Sequence, residues 1–252
     1  MTTIGFIGLG AMGSRIAGRL LDDHQVYGTN RTADKAAQLI KRGMAWRDTP
    51  REVAAEVELI FSMVTDDAAL KAIAEGPDGI LAGRKPGQVY VDMSTVSPRA
   101  SRDIAERARS LGASMLDAPV SGSVTAAEEG TLAIMVGGPQ DAFRSVEPLL
   151  KELGHNVTYV GGNGQGLMLK LAINISLAAQ MLAFSEGVLL AERGGISPEL
   201  AVRAMTDSPL GSPMLQARAP LIEDLGYGHR DIAGLFQVLA TSAAQAAGAA
   251  AA

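Results

Sequence analysis

A short apolar run, Thr3-Ile4-Gly5-Phe6-Ile7, leads directly into Gly8-Leu9-Gly10-Ala11-Met12-Gly13 and then into a helical pattern. A G-x-G-x-x-G spacing in that position commits the chain to a strand, a tight turn and a helix. Gly8 permits the turn, Gly10 lets the backbone approach a pyrophosphate, and Gly13 lets the helix pack close to the strand. The N–H groups at the helix start then face a phosphate, aided by the helix dipole. Glycine is common in this chain, 29 of 252 residues, so the spacing alone also describes a turn with no ligand. Its place between strand and helix points to a dinucleotide, with Gly8, Leu9, Gly10, Ala11, Met12 and Gly13 as candidate cofactor-binding residues.

The rest of the first 160 residues repeats that alternation. Strand-like runs fall at 4–7, 26–29, 59–64, 89–92, 115–117, 132–136 and 157–160, with helix-like segments at 11–21, 33–42, 68–74, 98–111 and 140–153. Short apolar strands alternating with helices imply a mainly parallel sheet covered on both faces. The rhythm breaks between Val120 and Gly138, where an antiparallel stretch is expected. After the connector Gly161-Gly162-Asn163-Gly164-Gln165-Gly166 the pattern becomes helical throughout: 167–193, ending at Gly194-Gly195, then 198–206, 214–225 and 231–243. The expected fold is α/β, an N-terminal Rossmann doubly wound sheet (1–161) followed by a small all-α C-terminal domain (162–252) that begins with a long interdomain helix. The alanine-rich tail reads as a frayed or poorly ordered helix end.

Composition narrows the function classes. A net charge of −5 without a basic run argues against general nucleic-acid binding. Cysteine is absent, which excludes disulfides and a Cys nucleophile, and the three histidines are unclustered, which leaves a metal centre without support. The N-terminus reads as a first strand rather than a signal peptide. No uninterrupted apolar stretch reaches the ~18 residues of a membrane span. A cytoplasmic protein is expected.

Strand ends carry the remaining candidates. An NAD site usually has a carboxylate at the end of its second strand, accepting from the ribose 2′-OH. Here Asn30-Arg31-Thr32 stands there, and Arg31 can pair with a 2′-phosphate, flanked by Asn30 and Thr32. NADP(H) is therefore preferred over NAD(H), although a solvated loop arginine would tolerate either. Val64, Thr65 and Thr95, beyond two further strand ends, are candidates to line the cofactor or merely to close loops. Asp117-Ala118-Pro119-Val120-Ser121-Gly122-Ser123 ends in a turn whose N–H groups and hydroxyls suit a carboxylate, or form a simple turn. Lys170 and Asn174 lie four residues apart on one helix face. A lysine at the edge of a dinucleotide domain can act as general acid to a carbonyl under reduction, and as base in reverse. Taken alone, the pair is also an ordinary surface pattern.

Together these segments resemble the β-hydroxyacid dehydrogenase family, which includes 3-hydroxyisobutyrate dehydrogenases and glyoxylate/succinic semialdehyde reductases. Residues 6–13 resemble its N-terminal signature. Asp117–Gly122 with Ala126 and Gly130-Thr131-Leu132 resembles its substrate signature, and Gly161-x-x-Gly164-x-Gly166-x-x-x-Lys170-x-x-x-Asn174 its catalytic one. The resemblance implies Lys170 as the catalytic residue, with Ser121, Gly122, Ser123 and Asn174 around a small carboxylate substrate. It also implies a homodimer or homotetramer packed through the helical domain. Where the family carries Lys-Asp-Leu, this chain has His229-Arg230-Asp231-Ile232; either Arg230 stands in for that lysine or the site is built differently, and His229 either approaches the substrate or is an ordinary helix-start histidine. Two other readings are an imine reductase, which shares the fold but usually lacks this lysine, and a non-catalytic NADPH-binding dimer.

Overall fold

The computed structural model describes residues 2–212 together with Leu215 and Gln216. Strand β1 (Thr3–Ile7) runs through the glycine turn into helix α1 (Ala11–Asp23), followed by β2 (Gln25–Thr29), a 3-10 turn (Ala33–Ala36), α2 (Ala37–Lys41), β3 (Ala45–Trp46) and α3 (Pro50–Glu56). Next come β4 (Leu59–Ser62), α4 (Asp67–Ala74), α5 (Ile80–Gly83), β5 (Val89–Asp92), α6 (Pro98–Ser110), β6 (Ser114–Asp117), β7 (Val120–Ser121) and α7 (Val124–Glu129). The chain continues through β8 (Ala133–Gly137), α8 (Gln140–Leu153), β9 (Asn156–Gly161), α9 (Gln165–Arg193) and α10 (Pro198–Thr206).

The sheet order is β3-β2-β1-β4-β5-β6-β8-β7, with β9 also paired to β8. The first six strands are parallel, while β8 meets β6 and β7 antiparallel. That antiparallel patch lies in the segment where the sequence rhythm breaks. Sequence order runs outward from β1 in one direction and from β4 in the other, so a crevice opens at their C-terminal ends, the usual ligand position of such a sheet. Side chains alternate between two cores, as a period of two requires. Phe6, Phe61, Val91 and Leu116 face α1 and α8; Ile7, Ile60, Tyr90 and Met115 face α3, α4 and α6.

Several local expectations change. The helix expected over 33–42 is a 3-10 turn followed by the short α2; Thr32 makes no side-chain cap bond at its start. The strand expected over 59–64 stops at Ser62, because the Val64 N–H turns out of the ladder to Ser94 Oγ, 2.9 Å away. Helix α3 is absent from the sequence reading; it starts at Thr49-Pro50-Arg51-Glu52, whose threonine and glutamate form a capping box. Helix α7, capped by Ser123, is likewise additional.

The chain divides into two compact units, Met1–Leu171 and Ala172–Ala252. The first turns of α9 belong with the sheet, where Leu167 is fully buried in the second core. Within the second unit, Met181, Phe184 and Val188 form one stripe of α9 and pack on Ala201, Val202 and Leu215. The expected helix 231–243 and the alanine tail lie outside the described residues, as does nearly all of 214–225.

Candidate functional site

The glycine turn behaves as its spacing requires. Gly8 sits at φ +92°, in the left-handed region, and a side chain there would run into the Met63 carbonyl. A side chain at Gly13 would strike the Gly8 carbonyl, whereas one at Gly10 would meet open space. The turn is held by the Gly8 N–H donating to the Thr29 carbonyl at 3.1 Å and the Leu9 N–H donating to Asn30 Oδ1 at 3.0 Å. Asn30 thus clasps the turn, and its own amide is anchored on the Thr32 carbonyl at 2.9 Å.

Among the described residues, helix α1 leaves its first N–H groups without a protein acceptor. Its N-cap, Gly10, offers no side chain, the first turn carries no acid, and the first helical bond runs from the Ser14 N–H to the Gly10 carbonyl. By contrast, α3, α4, α6, α7 and α10 are capped by Thr49, Asp66, Ser97, Ser123 and Ser197. Uncapped donors under an open glycine, at the sheet crevice, fit a dinucleotide pyrophosphate. Arg31 and Thr32 are exposed beside this turn, and Arg31 has no ion pair among the described residues. Asp66 is held below the usual carboxylate range, chiefly by the Ala69 N–H and the Thr65 hydroxyl and least by the positive charge of Arg31.

The loops after β4 and β5 are tied together by a buried polar chain that the sequence reading did not find. Ser62 Oγ and Ser94 Oγ each donate to Asp92 Oδ1 at 2.6 Å, Ser62 also meets the Tyr90 hydroxyl at 2.7 Å, and Ser94 Oγ accepts the Val64 N–H. Burial pushes both the Asp92 carboxyl and the Tyr90 phenol up. The network sets the loops that carry Val64, Thr65 and Thr95, of which the two threonines are exposed. Its only sequence signal was polar residues at the ends of apolar strands, Phe61-Ser62 and Val91-Asp92.

Asp117 is a further residue whose role was missed. It ends β6, is fully buried, and accepts the Gly164 N–H at 2.6 Å and the Leu167 N–H at 3.0 Å. Burial pushes its carboxyl up to about 6 against the opposing pull of those two N–H bonds. Lys170 follows one turn later, half-buried and without a carboxylate partner among the described residues. Desolvation holds its ammonium below the ordinary lysine range. Beyond Asp117 the chain reaches Ser121, half-buried, and Gly122, exposed; the exposed Ser123 uses its hydroxyl to accept the Ala126 N–H at 3.1 Å. Asn174 lies four residues past Lys170 on α9, in the second compact unit. His229 and Arg230 lie outside the described residues. Among the described residues no cluster of three His, Asp or Glu side chains is set to hold a metal.

Residues 3–161 match the family described as the NAD binding domain of 6-phosphogluconate dehydrogenase. Residues 164–227 match that described as the NAD-binding part of NADP-dependent 3-hydroxyisobutyrate dehydrogenase. The 2-hydroxy-3-oxopropionate reductase of Escherichia coli (strain K12) is 38% identical over 214 residues, 84% of this chain and 73% of that protein. The structure of Mycobacterium tuberculosis 3-hydroxyisobutyrate dehydrogenase with L-serine aligns at a TM-score of 0.79 and 31% identity, covering 87% of this chain and 75% of that one. A Streptomyces aurantiacus imine reductase aligns at 0.72 and 25% identity, covering 96% and 87%.

Proposed function

The chain belongs to the β-hydroxyacid dehydrogenase family and is an NAD(P)-dependent oxidoreductase, and on that premise we propose that it interconverts a small β-hydroxy acid and its semialdehyde or keto acid, with NADP(H) preferred and Lys170 as general acid and base. The observation that carries this reading is the half-buried Lys170, without a carboxylate partner among the described residues, at the head of a helix tied to the C-terminal end of β6, in the same compact unit as the open glycine turn.

The dinucleotide, when bound, supplies or accepts the hydride. The chain's own groups do the rest. The α1 N–H groups hold the pyrophosphate, Arg31 pairs with a 2′-phosphate, and Val64, Thr65 and Thr95 line the cofactor. The Ser121–Ser123 turn binds the substrate carboxylate, with the Ser123 hydroxyl, which accepts the Ala126 N–H, still able to donate its own proton. Lys170 Nζ gives a proton to the carbonyl oxygen as it becomes an alkoxide, and takes it back in the oxidative direction. Desolvation favours this work by easing proton release at neutral pH. Asn174 is assigned to the same oxygen.

Helix α9 is long and apolar enough to cross a membrane. Because it lies within the stretch matched to the dehydrogenase family, we assign its exposed Ile175 and Leu190, 72% and 73% accessible, to contact with a second copy of the chain. We place the protein in the cytoplasm, which a cysteine-free composition suits.

The test is the initial rate of NADPH and NADH oxidation with glyoxylate, succinic semialdehyde, methylmalonate semialdehyde and tartronate semialdehyde, wild type beside Lys170→Ala. A rate that favours NADPH and falls about 10²–10⁴-fold in the variant, with NADPH affinity retained, is the expected result. Reduction of cyclic imines but of none of these acids would replace it with the imine reductase reading.

A further inference from the structure

We propose that Asp117 is a positioning residue for the reaction, its carboxylate setting where Lys170 stands relative to β6, the strand that leads into the Ser121–Ser123 turn. The inference rests on the assignment of Lys170 as proton donor and concerns a fully buried residue to which no substrate or cofactor contact is assigned.

The two carboxylate oxygens take different N–H groups of one helix start: Oδ1 that of Gly164, Oδ2 that of Leu167, at 2.6 and 3.0 Å. Two contacts at the head of a helix fix its rotation as well as its distance. Lys170 is the next residue but two, so its stem inherits that rotation. The side chain of Asn163 adds a tie to the same strand, donating to the Met115 carbonyl at 2.7 Å. The protein also makes room for this arrangement. A methyl group at Gly137 would stand 2.8 and 2.9 Å from the two Asp117 oxygens, and one at Gly166 would stand 2.9 Å from Oδ2 and 2.5 Å from the Met135 carbonyl.

Burying a carboxylate is costly, and an apolar residue at the end of β6 would fill the core at less expense. What the carboxylate adds is direction. It complements the positive end of the helix and accepts two donors that would otherwise be buried without partners. Through one residue, β6 and the connector before α9 share a reference point. The backbone of Asp117 leads towards the proposed carboxylate turn, and its side chain holds the helix of the proposed proton donor.

The experiment is a double-mutant cycle on the full-length protein, using the best acid from the substrate panel. Asp117→Asn keeps the shape and one acceptor but turns an amide NH₂ towards one of the two N–H donors. We expect kcat to fall about 100-fold, the order that a misplacement of about 1 Å costs. NADPH affinity should stay within about two-fold, and Asp117→Asn should add almost nothing in a Lys170→Ala background. Full activity of Asp117→Asn overturns the proposal. So does multiplication of the two losses in the double variant, a result that leaves Lys170 as proton donor intact. Full activity of Lys170→Ala removes the parent reading and this inference with it. If Asp117→Asn does not fold, Asn163→Ala cuts the milder tie to β6 and is read in the same cycle, with an expected loss of about five-fold. No loss, or a loss that persists without Lys170, counts against the proposal in the same way.

Discussion

Among the described residues, the first N–H groups of α1 have no side-chain cap and no acid in their own turn, whereas at the head of α9 the Gly164 and Leu167 N–H groups are both taken by Asp117. Both starts are glycine-rich and both lie at the C-terminal end of a parallel strand. A helix start always carries unsatisfied donors and a positive dipole end. At α1 these remain available to an external anion; at α9 an internal anion uses them to fix a helix. The comparison separates a binding terminus from a positioning terminus by one criterion, whether the protein supplies its own acceptor.

Giving α1 an acceptor of its own breaks the contrast most severely. Gly10→Asp has room for its side chain and places a capping carboxylate where the pyrophosphate is proposed to lie. NADPH affinity should fall by about 100-fold, since like charges held together cost several kcal/mol. The melting temperature should hold or rise, because aspartate caps at least as well as glycine. A variant that binds NADPH normally would show that the open turn is not the cofactor site. Arg31→Ala comes next, with an expected loss of about ten-fold in preference for NADPH over NADH, measured as the ratio of kcat/KM values. NADH kinetics should be unchanged; an equal loss with both cofactors would contradict a 2′-phosphate contact.

The α9 side of the comparison has a signature in pH. Burial holds the Asp117 carboxyl at about 6, above the unfolded value near 3.9. With the folded pKa raised, the native state binds this proton more tightly than the unfolded chain does. The corresponding stability is full below about pH 4 and is lost as pH rises to about 6. Asp92, also pushed up, acts in the same direction but is common to wild type and Asp117→Asn. Between pH 4 and 6.5 the wild-type Tm should therefore fall relative to that of the variant, by on the order of 5 °C. Parallel curves would mean that Asp117 does not titrate there. The smallest effect belongs to an ordinary capped helix. Thr49→Ala should cost about 1 kcal/mol in denaturant unfolding and leave kcat and KM unaltered, because the capping box of α3 serves only its own helix.

Much of this arrangement was legible before folding is considered. The alternation of apolar runs announced a parallel sheet, and the break after Val120 announced its antiparallel patch. The glycine spacing marked the helix whose donors stay open. Those signals are local, carried by side-chain periodicity and by a turn that needs φ > 0 at Gly8. Missing were the bonds that join distant segments: Leu9 to Asn30 across 21 residues, Ser62 to Asp92 across 30, Asp117 to Gly164 across 47. Ser123 adds a local case: its hydroxyl also accepts the Ala126 N–H as the N-cap of α7, a role the sequence reading did not assign it.

By itself, then, the sequence determined which segments become strands and helices, which face of each is apolar, and which residues are chemically able to bind a dinucleotide or move a proton. Only the tertiary structure decided which of those polar groups are already spent on one another. Every buried donor and acceptor must find a partner somewhere in the fold, and that partner is set by proximity in space rather than along the chain. The lone acid at the end of β6 became the anchor of α9 because the sheet brought it under two amides it could not have met otherwise.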